Sequence, residues 1–348
     1  MSRMPNRRST AARPLRLATL AAAAGLLFAL QAVPQVASAQ QRDPTKSITD
    51  TVANHASQHY TFQRFDVSSA DGQRTWRVHV AAPKGAAPAG GWPAFWMLDG
   101  NAALIEFDDA LLAELAAQPV PHALVFVGYA NDLRIDSEAR TRDYTPFTGE
   151  RPVRDGGTIV GGGGADALLE VIERSIRPEV ERRVATDPTQ QTLWGHSLAG
   201  LFALHVLYTR TGAFDTYAAG SPSLWWGDGA LLGAPEQRFV ANNAGRQARV
   251  LIGLGEGERT RQVAHRDLND PRVRVHLRRI EAAPPDSAEK LAQRLSEVDG
   301  LQVEYRQFPA LTHGPMFRAS LMWALHAITG VADHSDTPSH ADGVDPNR

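Results

Sequence analysis

Residues 192–202 read TLWGHSLAGLF, and this stretch decides the fold. Apolar residues typical of a buried strand precede Ser197, and apolar residues typical of a buried helix follow it. A strand that turns sharply into a helix at a serine exposes the hydroxyl at the edge of a sheet. The residues two before and two after must then be small so that strand and helix can approach, and here they are Gly195 and Ala199. We therefore predict that Ser197 is a nucleophile; the alternative is an ordinary serine that caps a buried helix.

Short apolar segments alternate with amphipathic ones along the chain on both sides of this motif. Strands are predicted at 62–68, 75–82, 94–98, 123–128, 191–194, 216–219, 250–254 and 303–308, the first two as an edge hairpin. Helices are predicted at 103–117, 167–184, 198–211, 237–242, 287–298 and 315–328. The alternation indicates an α/β protein with a mostly parallel central sheet flanked by helices. The polar, Arg-rich stretch 131–164 interrupts it and is predicted to be an inserted, lid-like loop.

The two ends of the chain differ from the middle in composition. Five arginines, a mostly apolar stretch over 17–33 and the small-residue site Ala37-Ser38-Ala39 predict a signal peptide over residues 1–39. Residues 40–51 form a polar lead-in, residues 52–330 are expected to form one domain, and residues 331–348 are predicted to be a disordered tail. The mature protein is therefore expected to be periplasmic or secreted and to contain no integral membrane segment.

Charge and cysteine content exclude several classes of function. Without residues 1–39, 31 basic residues remain against 38 acidic ones, a net charge of −7. Binding to nucleic acid or to an anionic membrane needs a basic surface, so neither is expected as a partner. The chain has no cysteine, which excludes disulfides, thiol nucleophiles and cysteine metal sites. No cofactor and no metal site is predicted.

A serine nucleophile needs a base, and the base needs a group that orients it. Where the strand–serine–helix turn occurs in α/β-hydrolases, the chain order is serine, acid, histidine. His313 follows the last predicted strand and precedes Gly314-Pro315 and the last helix, so we predict that it is the base. The acid is expected after the strand at 250–254, where Glu258 is the first choice and Glu256 the alternative. Both glutamates could instead be solvated loop carboxylates.

Acyl transfer also needs backbone N–H groups that bind the developing oxyanion. One is predicted from Leu198, directly after the nucleophile. The other is predicted from Asp99 or Gly100, which follow the strand at 94–98.

Five short motifs occur in an order that resembles a known family. They are MLDGNA at 97–102, DYTP at 143–146, LWGHS at 193–197, SPSLW at 221–225 and HGPMF at 313–317. Together they are similar to the esterases related to esterase D, and within that group to the periplasmic trilactone esterases of enterobactin and salmochelin siderophores. The resemblance covers about residues 93–330, with Ala199 in place of a glycine as one departure.

This resemblance implies an α/β-hydrolase fold and a serine esterase that hydrolyses trilactone ester bonds of a catecholate siderophore. It assigns the nucleophile to Ser197, the base to His313 and a substrate-binding role to Arg140. Tyr144 is also named as a substrate-binding residue. Trp225, which with Trp226 departs from the less aromatic relatives, could wall the pocket and bind substrate, although core packing explains it at least as well. The partner would be a small-molecule ester. Two other functions stay open, a general carboxylesterase for acyl or feruloyl esters and a non-catalytic siderophore-binding protein.

Overall fold

The computed structural model describes residues 47–48, 50–149, 153–155, 158–160, 162–243, 245–258, 269, 274 and 283–337. The predicted signal peptide and residues 40–46 of the lead-in lie outside them. The strands are β1 Tyr60–Ser68, β2 Thr75–Pro83, β3 Trp92–Leu98, β4 Ala123–Tyr129, β5 Val153–Asp155, β6 Thr158–Val160, β7 Thr186–His196, β8 Thr216–Gly220, β9 Ala248–Gly255 and β10 Leu301–Phe308. The helices are α1 Gly100–Leu104, α2 Asp109–Ala116, α3 Ser137–Tyr144, α4 Ala165–Val171, α5 Arg177–Arg183, α6 Leu198–Thr209, α7 Ala234–Asn242, α8 Ser287–Ser296 and α9 Met316–Thr329.

Eight of these strands form one sheet in the order β1-β2-β4-β3-β7-β8-β9-β10. The hairpin β1–β2 lies at one edge, and β2 pairs with β4 in antiparallel fashion. The remaining pairs of neighbours, β4–β3, β3–β7, β7–β8, β8–β9 and β9–β10, are parallel. The prediction of a mostly parallel sheet flanked by helices is therefore confirmed. Parallel strands end at a common edge of the sheet, so the loops after β3, β7, β8, β9 and β10 lie along one side.

The core has two layers, one on each face of the sheet, and β3 shows why. Its side chains alternate, with Ala94, Trp96 and Leu98 on one face and Phe95 and Met97 on the other. Helices α4 to α8 cover the first face, and α1, α2 and α9 cover the second. A strand buried on both faces reads as a continuous apolar run, which is why the sequence marks β3 clearly.

Two regions inside the domain differ from the sequence prediction. The helix predicted at 103–117 is two helices, α1 and α2, and the Asp108 side chain caps the second by accepting from the Leu111 N–H at 2.8 Å. The predicted loop 131–164 contains helix α3 and the antiparallel pair β5–β6. α3 was missed because its polar sequence carries almost no apolar periodicity.

The start of the predicted disordered tail is folded against the domain. Val331 is buried, Asp333 pairs with Arg306 at 2.6 Å, and His334 contacts Glu114 at 2.8 Å. Composition alone missed this because a few specific contacts outweigh a polar sequence. Residues 338–348 of that tail lie outside the described residues. None of the described helices is long and apolar enough to cross a membrane.

Candidate active site

The turn between β7 and α6 gives Ser197 an unusual backbone conformation. Its φ is 62° and its ψ is −118°, a region that residues with a side chain rarely adopt. A Cβ added at Gly195 would lie 2.4 Å from the Ala199 carbonyl oxygen, so strand and helix can meet only because this position is glycine. The Ser197 N–H donates to the Gly220 carbonyl at 2.8 Å, which ties the turn to the end of β8. The local sequence thus produces the predicted strand–serine–helix turn.

His313 lies in the loop between β10 and α9 and connects two side chains. Its Nε2 is 3.0 Å from the Ser197 Oγ, and its Nδ1 is 2.9 Å from the Glu258 Oε2. A carboxylate only accepts hydrogen bonds, so Nδ1 carries the proton and Nε2 is the acceptor for the serine hydroxyl. The structure therefore brings together the three residues that the sequence nominated as nucleophile, base and acid, in the geometry of a serine–histidine–acid relay.

Glu258 is held from both of its oxygens. The Ser221 hydroxyl and the Gly255 N–H donate to Oε1, the latter at 3.0 Å, while His313 donates to Oε2. Burial by itself raises the pKa of the Glu258 carboxyl, but His313 and these hydrogen bonds outweigh it, so the pKa lies below its usual value. The carboxylate is therefore ionised and oriented toward the imidazole.

The alternative acid, Glu256, has a different environment. Its side chain is exposed, and its Oε2 accepts a hydrogen bond of 3.4 Å from the Ala310 N–H. The two glutamates are separated by one residue, so a short turn at the end of β9 sends one inward and the other outward. Of the two candidates, Glu258 is the one that contacts His313.

Two serines of the loop after β8 also belong to the site. Ser221 adopts a φ of 41° and donates to Glu258, and the Ser223 Oγ lies 3.2 Å from the Ser197 Oγ. The Ser223 N–H donates to the Ser197 carbonyl at 3.1 Å, so this loop is fixed to the nucleophile. The sequence reasoning gave neither serine a role. The available signal was their position, because a polar Ser-Pro-Ser motif directly follows a buried parallel strand.

His196 packs against the base. The ring centroids of His196 and His313 are 4.6 Å apart, and the buried His196 Nε2 has no hydrogen-bond partner among the described residues. Burial, then the charge of His313 and those of two nearby arginines, hold the pKa of His196 well below its usual value. His196 is therefore neutral and acts as a packing surface for the imidazole of His313, a contact that its place in the motif did not reveal.

The predicted oxyanion donors are only partly supported. Leu198 opens α6, and the first N–H groups of a helix have no acceptor within it, so the Leu198 N–H is suited to an oxyanion. The Asp99 N–H instead donates to the Tyr144 hydroxyl at 3.0 Å and is not free for this role. That leaves Gly100 as the second candidate. A Cβ there would lie 2.7 Å from the backbone of Phe126, so only glycine fits.

Two of the three predicted substrate-binding residues point into the protein. Arg140 donates to both carboxylate oxygens of Asp99, from Nε at 3.0 Å and from Nη2 at 2.8 Å. Tyr144 is 2% exposed, with its ring 5.6 Å from the Arg140 guanidinium. The Arg140 guanidinium therefore has protein partners and the Tyr144 ring is buried, while their assignment to substrate binding stays a prediction. Trp225 is half-buried beside Trp226 and keeps some surface for a ligand.

Among the described residues, no group of three or more His, Asp or Glu side chains is arranged to hold a metal ion.

With this geometry established, comparison with known proteins identifies the family. Residues 69–327 match the family described as "Putative esterase". The chain belongs to this family. The esterase is 32% identical over 309 residues to apo-salmochelin esterase of Escherichia coli O6:H1, covering 88% of this chain and 91% of that relative. It is 30% identical over 276 residues to ferri-bacillibactin esterase BesA of Bacillus subtilis, covering 75% of this chain and 88% of that relative.

A solved structure gives the same result for the fold. The structure of the enterobactin and salmochelin hydrolase IroE matches this esterase with a TM-score of 0.60 and 31% identity, covering 80% of this chain and 99% of that chain. The resemblance drawn from the five sequence motifs and the α/β-hydrolase fold that it implied are confirmed. The chain is a serine ester hydrolase.

Proposed function

We propose that this esterase hydrolyses the trilactone ester bonds of a catecholate siderophore through an acyl-enzyme on Ser197. The observation that carries the chemistry is the pair of hydrogen bonds made by His313, between Nε2 and the Ser197 Oγ at 3.0 Å and between Nδ1 and the Glu258 Oε2 at 2.9 Å. The substrate class is supported by the relatives, which are named as esterases of salmochelin and bacillibactin. Two siderophore esterases from distant bacteria, each matched over most of its length, favour this class over simple acyl esters.

In the proposed reaction His313 transfers one proton in each half of the cycle. The Ser197 Oγ attacks the ester carbonyl while its proton passes to the His313 Nε2, and the Glu258 carboxylate stabilises the imidazolium. The N–H groups of Leu198 and Gly100 donate to the oxyanion of the tetrahedral intermediate. The imidazolium then gives its proton to the departing serine alkoxide of the trilactone, which leaves an acyl-enzyme. Water then attacks the acyl carbonyl while its proton passes to the same Nε2, and the imidazolium returns that proton to the Ser197 Oγ as the acid leaves.

The surface for the aromatic part of the substrate is proposed to include Trp225. This residue lies two positions after Ser223, whose N–H binds the Ser197 carbonyl, so its backbone is anchored next to the nucleophile. The following Trp226 donates from its indole to the Pro146 carbonyl at 3.3 Å, which connects this loop to the segment after α3. A half-buried indole on the loop that carries Ser223 is suited to stacking on a catechol ring.

The site of action is proposed to be outside the cytoplasm. Residues 1–39 contain five arginines, an apolar stretch and a small-residue cleavage site, which is the composition of an export signal. Fractionation of cells that produce the full chain, with N-terminal sequencing of the exported form, tests this. A mature N-terminus near residue 40 is expected, and a full-length protein retained in the cytoplasm would contradict it.

The test of the function compares purified trilactone siderophores with simple aryl and feruloyl esters as substrates. We expect the trilactones to have the highest kcat/KM and to yield linear products, as followed by chromatography. A fluorophosphonate should label wild-type protein at Ser197 and should not label S197A. Labelling of Ser197 together with a higher kcat/KM for the simple esters would indicate a general carboxylesterase. Binding of a siderophore without labelling or turnover would indicate a non-catalytic binding protein.

A further inference from the structure

Arg140 joins two segments of the active site that are far apart in the sequence. From helix α3 it donates to both oxygens of Asp99, and its Nη2 also donates to the carbonyl oxygen of His196 at 3.2 Å. Asp99 follows β3, and His196 is the last residue of β7, directly before the nucleophile. The side chains of Arg140 and Asp99 are 12% and 2% exposed, so the pair is shielded from solvent.

Both ends of this bridge are attached to strained backbone. Asp99 has a φ of 50° and Ser197 has a φ of 62°. Such conformations are costly for residues with a side chain and persist only where the surroundings hold them. A bidentate arginine–carboxylate pair is directional as well as strong, so it fixes the orientation of Asp99 and not only its distance from α3.

Helix α3 contacts Asp99 a second time, one turn further along. The Tyr144 hydroxyl accepts from the Asp99 N–H at 3.0 Å, and the Tyr144 ring lies beside the Arg140 guanidinium. A further contact runs from the loop after β3 to the segment before α3, through the side chain of Asn101. Its amide donates to the carbonyls of Asn131 and Leu133 at 3.0 Å each, in the segment that leads into α3. The loop after β3 and the region around α3 therefore hold each other in place.

The charge of Arg140 is already balanced within the protein. Burial alone would lower the pKa of the Arg140 guanidinium, but the Asp99 carboxylate outweighs it and holds that pKa above its usual value, so Arg140 keeps its charge. Three donor–acceptor contacts are committed to Asp99 and His196. An anionic substrate would have to compete with these contacts, whereas the bridge needs no substrate.

We propose that Arg140 is a positioning residue that sets the spacing between the two segments expected to bind the oxyanion. Asp99 precedes Gly100, and His196 and Ser197 precede Leu198, so the bridge fixes the backbone on both sides of the oxyanion. This inference rests on the proposed esterase mechanism and replaces the role in substrate binding that the sequence resemblance suggested. Its consequence is an effect on turnover of every ester, charged or neutral.

The test measures kcat and KM of R140K and R140A on a neutral aryl butyrate and on an anionic trilactone. We expect kcat to fall roughly 10- to 100-fold on both substrates with KM little changed, because a displaced oxyanion donor weakens binding of the transition state and not of the ester. R140K keeps the charge but cannot make the bidentate contact, so it should lose nearly as much as R140A. D99N should cause a similar loss, and R140A/D99N should lose no more than the larger single effect.

The matched control is R142A on the same helix. Arg142 pairs with the buried Asp143 at 2.8 Å, and the other hydrogen bonds that Asp143 accepts in the described part of the chain come from the Trp76 indole at 3.0 Å and from Arg74 at 3.5 Å. R142A should keep kcat within about twofold, since it removes a comparable ion pair without touching the site. The number of competent sites is counted by the endpoint of fluorophosphonate labelling, so that a partly unfolded variant is not mistaken for a slow one.

Three outcomes would overturn the proposal. The first is a rise in KM for the trilactone with the aryl ester unaffected, which would make Arg140 a substrate ligand. The second is unchanged kcat on both esters, and the third is a loss that vanishes when rates are divided by the labelled fraction. If R140A does not fold, R140K and D99N decide, since each preserves the size of the side chain. Failure of the esterase function itself would be visible in the wild type, which would then turn over neither ester.

Discussion

Positive φ angles occur at both edges of the parallel sheet, the edge where its strands begin and the edge where they end, but in different residue types. At the edge where strands begin, positive φ angles precede β3 and β10 at Gly91 and Gly300, with values of 92° and 89°. At the edge where strands end, positive φ angles directly follow β3, β7 and β8 at Asp99, Ser197 and Ser221, with values of 50°, 62° and 41°. Glycine adopts such angles without strain, whereas a residue with a Cβ does so at a cost.

The difference shows that strained backbone, which lowers folding stability, lies at the end of the strands that carries the active site. A Cβ at Gly91 would lie 2.5 Å from the Thr186 backbone, so that edge needs glycine only for close packing. At the other edge the three residues that directly follow β3, β7 and β8 use their side chains: Ser197 contacts His313, Ser221 donates to Glu258, and Asp99 accepts from Arg140. The same fold is therefore built for packing at one edge and for function at the other.

The largest expected effect comes from removing the hydroxyl at the most strained of these positions. S197A should lower ester hydrolysis by at least several hundredfold while the protein stays folded, because binding and the oxyanion donors alone give the residual rate. S197G should be equally inactive but more stable than S197A by about 1–3 kcal/mol, since glycine relieves the strain. Turnover assays and urea unfolding check both.

If S197G is no more stable than S197A, the conformation of Ser197 carries no strain and the contrast between the edges fails. Near wild-type turnover by S197A would remove Ser197 from the mechanism.

The two glutamates after β9 allow a comparison within the edge that carries the active site, between a carboxylate that contacts His313 and one that does not. E258Q should lower kcat by about a hundredfold or more, because the amide no longer stabilises the imidazolium of His313. E256Q is the matched control, two positions away and exposed, and should change kcat much less. Steady-state kinetics on an aryl ester decide. Two silent variants would mean that Ser197 and His313 work without an acid.

A substitution at the packing edge should have the opposite profile. G91A should lower the free energy of unfolding by about 1–3 kcal/mol, from the strained φ and from the clash with the Thr186 backbone. It should leave kcat per labelled site unchanged. G90A is the control, since a Cβ there would lie 3.7 Å from the Asp187 side chain, an ordinary contact. A loss of kcat in G91A without loss of stability would contradict the division of roles.

The smallest effect is expected in the dependence of stability on pH. The folded pKa of Glu258 is below the ordinary value of 4.5, so its carboxylate contributes stability above that pH and loses it as the pH falls through the folded pKa. E258Q should therefore flatten the decline of unfolding free energy below pH 4.5 relative to wild type. Urea unfolding between neutral and acidic pH measures this, and parallel curves would show that Glu258 is not held by ionic contacts.

Sequence predicted well what depends on neighbours along the chain. The Gly195–Ala199 motif, with its apolar flanks, predicted a strand, a sharp turn and a helix, because small residues and apolar runs restrict the local backbone. The chain order of serine, acid and histidine nominated His313 and Glu258. The polar helix α3 was not predicted, since it is held by contacts of Arg140, Asp143 and Tyr144 with partners in other parts of the fold.

By itself, the sequence determined the fold class, the position of the nucleophile and the family, because these are written in local spacing and in the order of the motifs. Only the tertiary structure decided which glutamate faces His313 and which way Arg140 points. Glu256 and Glu258 have the same chemistry, and a turn of the backbone separates them. Arg140 lies 41 residues from Asp99 and 56 from His196 in the sequence. Such partners meet only when the order of the strands brings the ends of β3 and β7 together under helix α3.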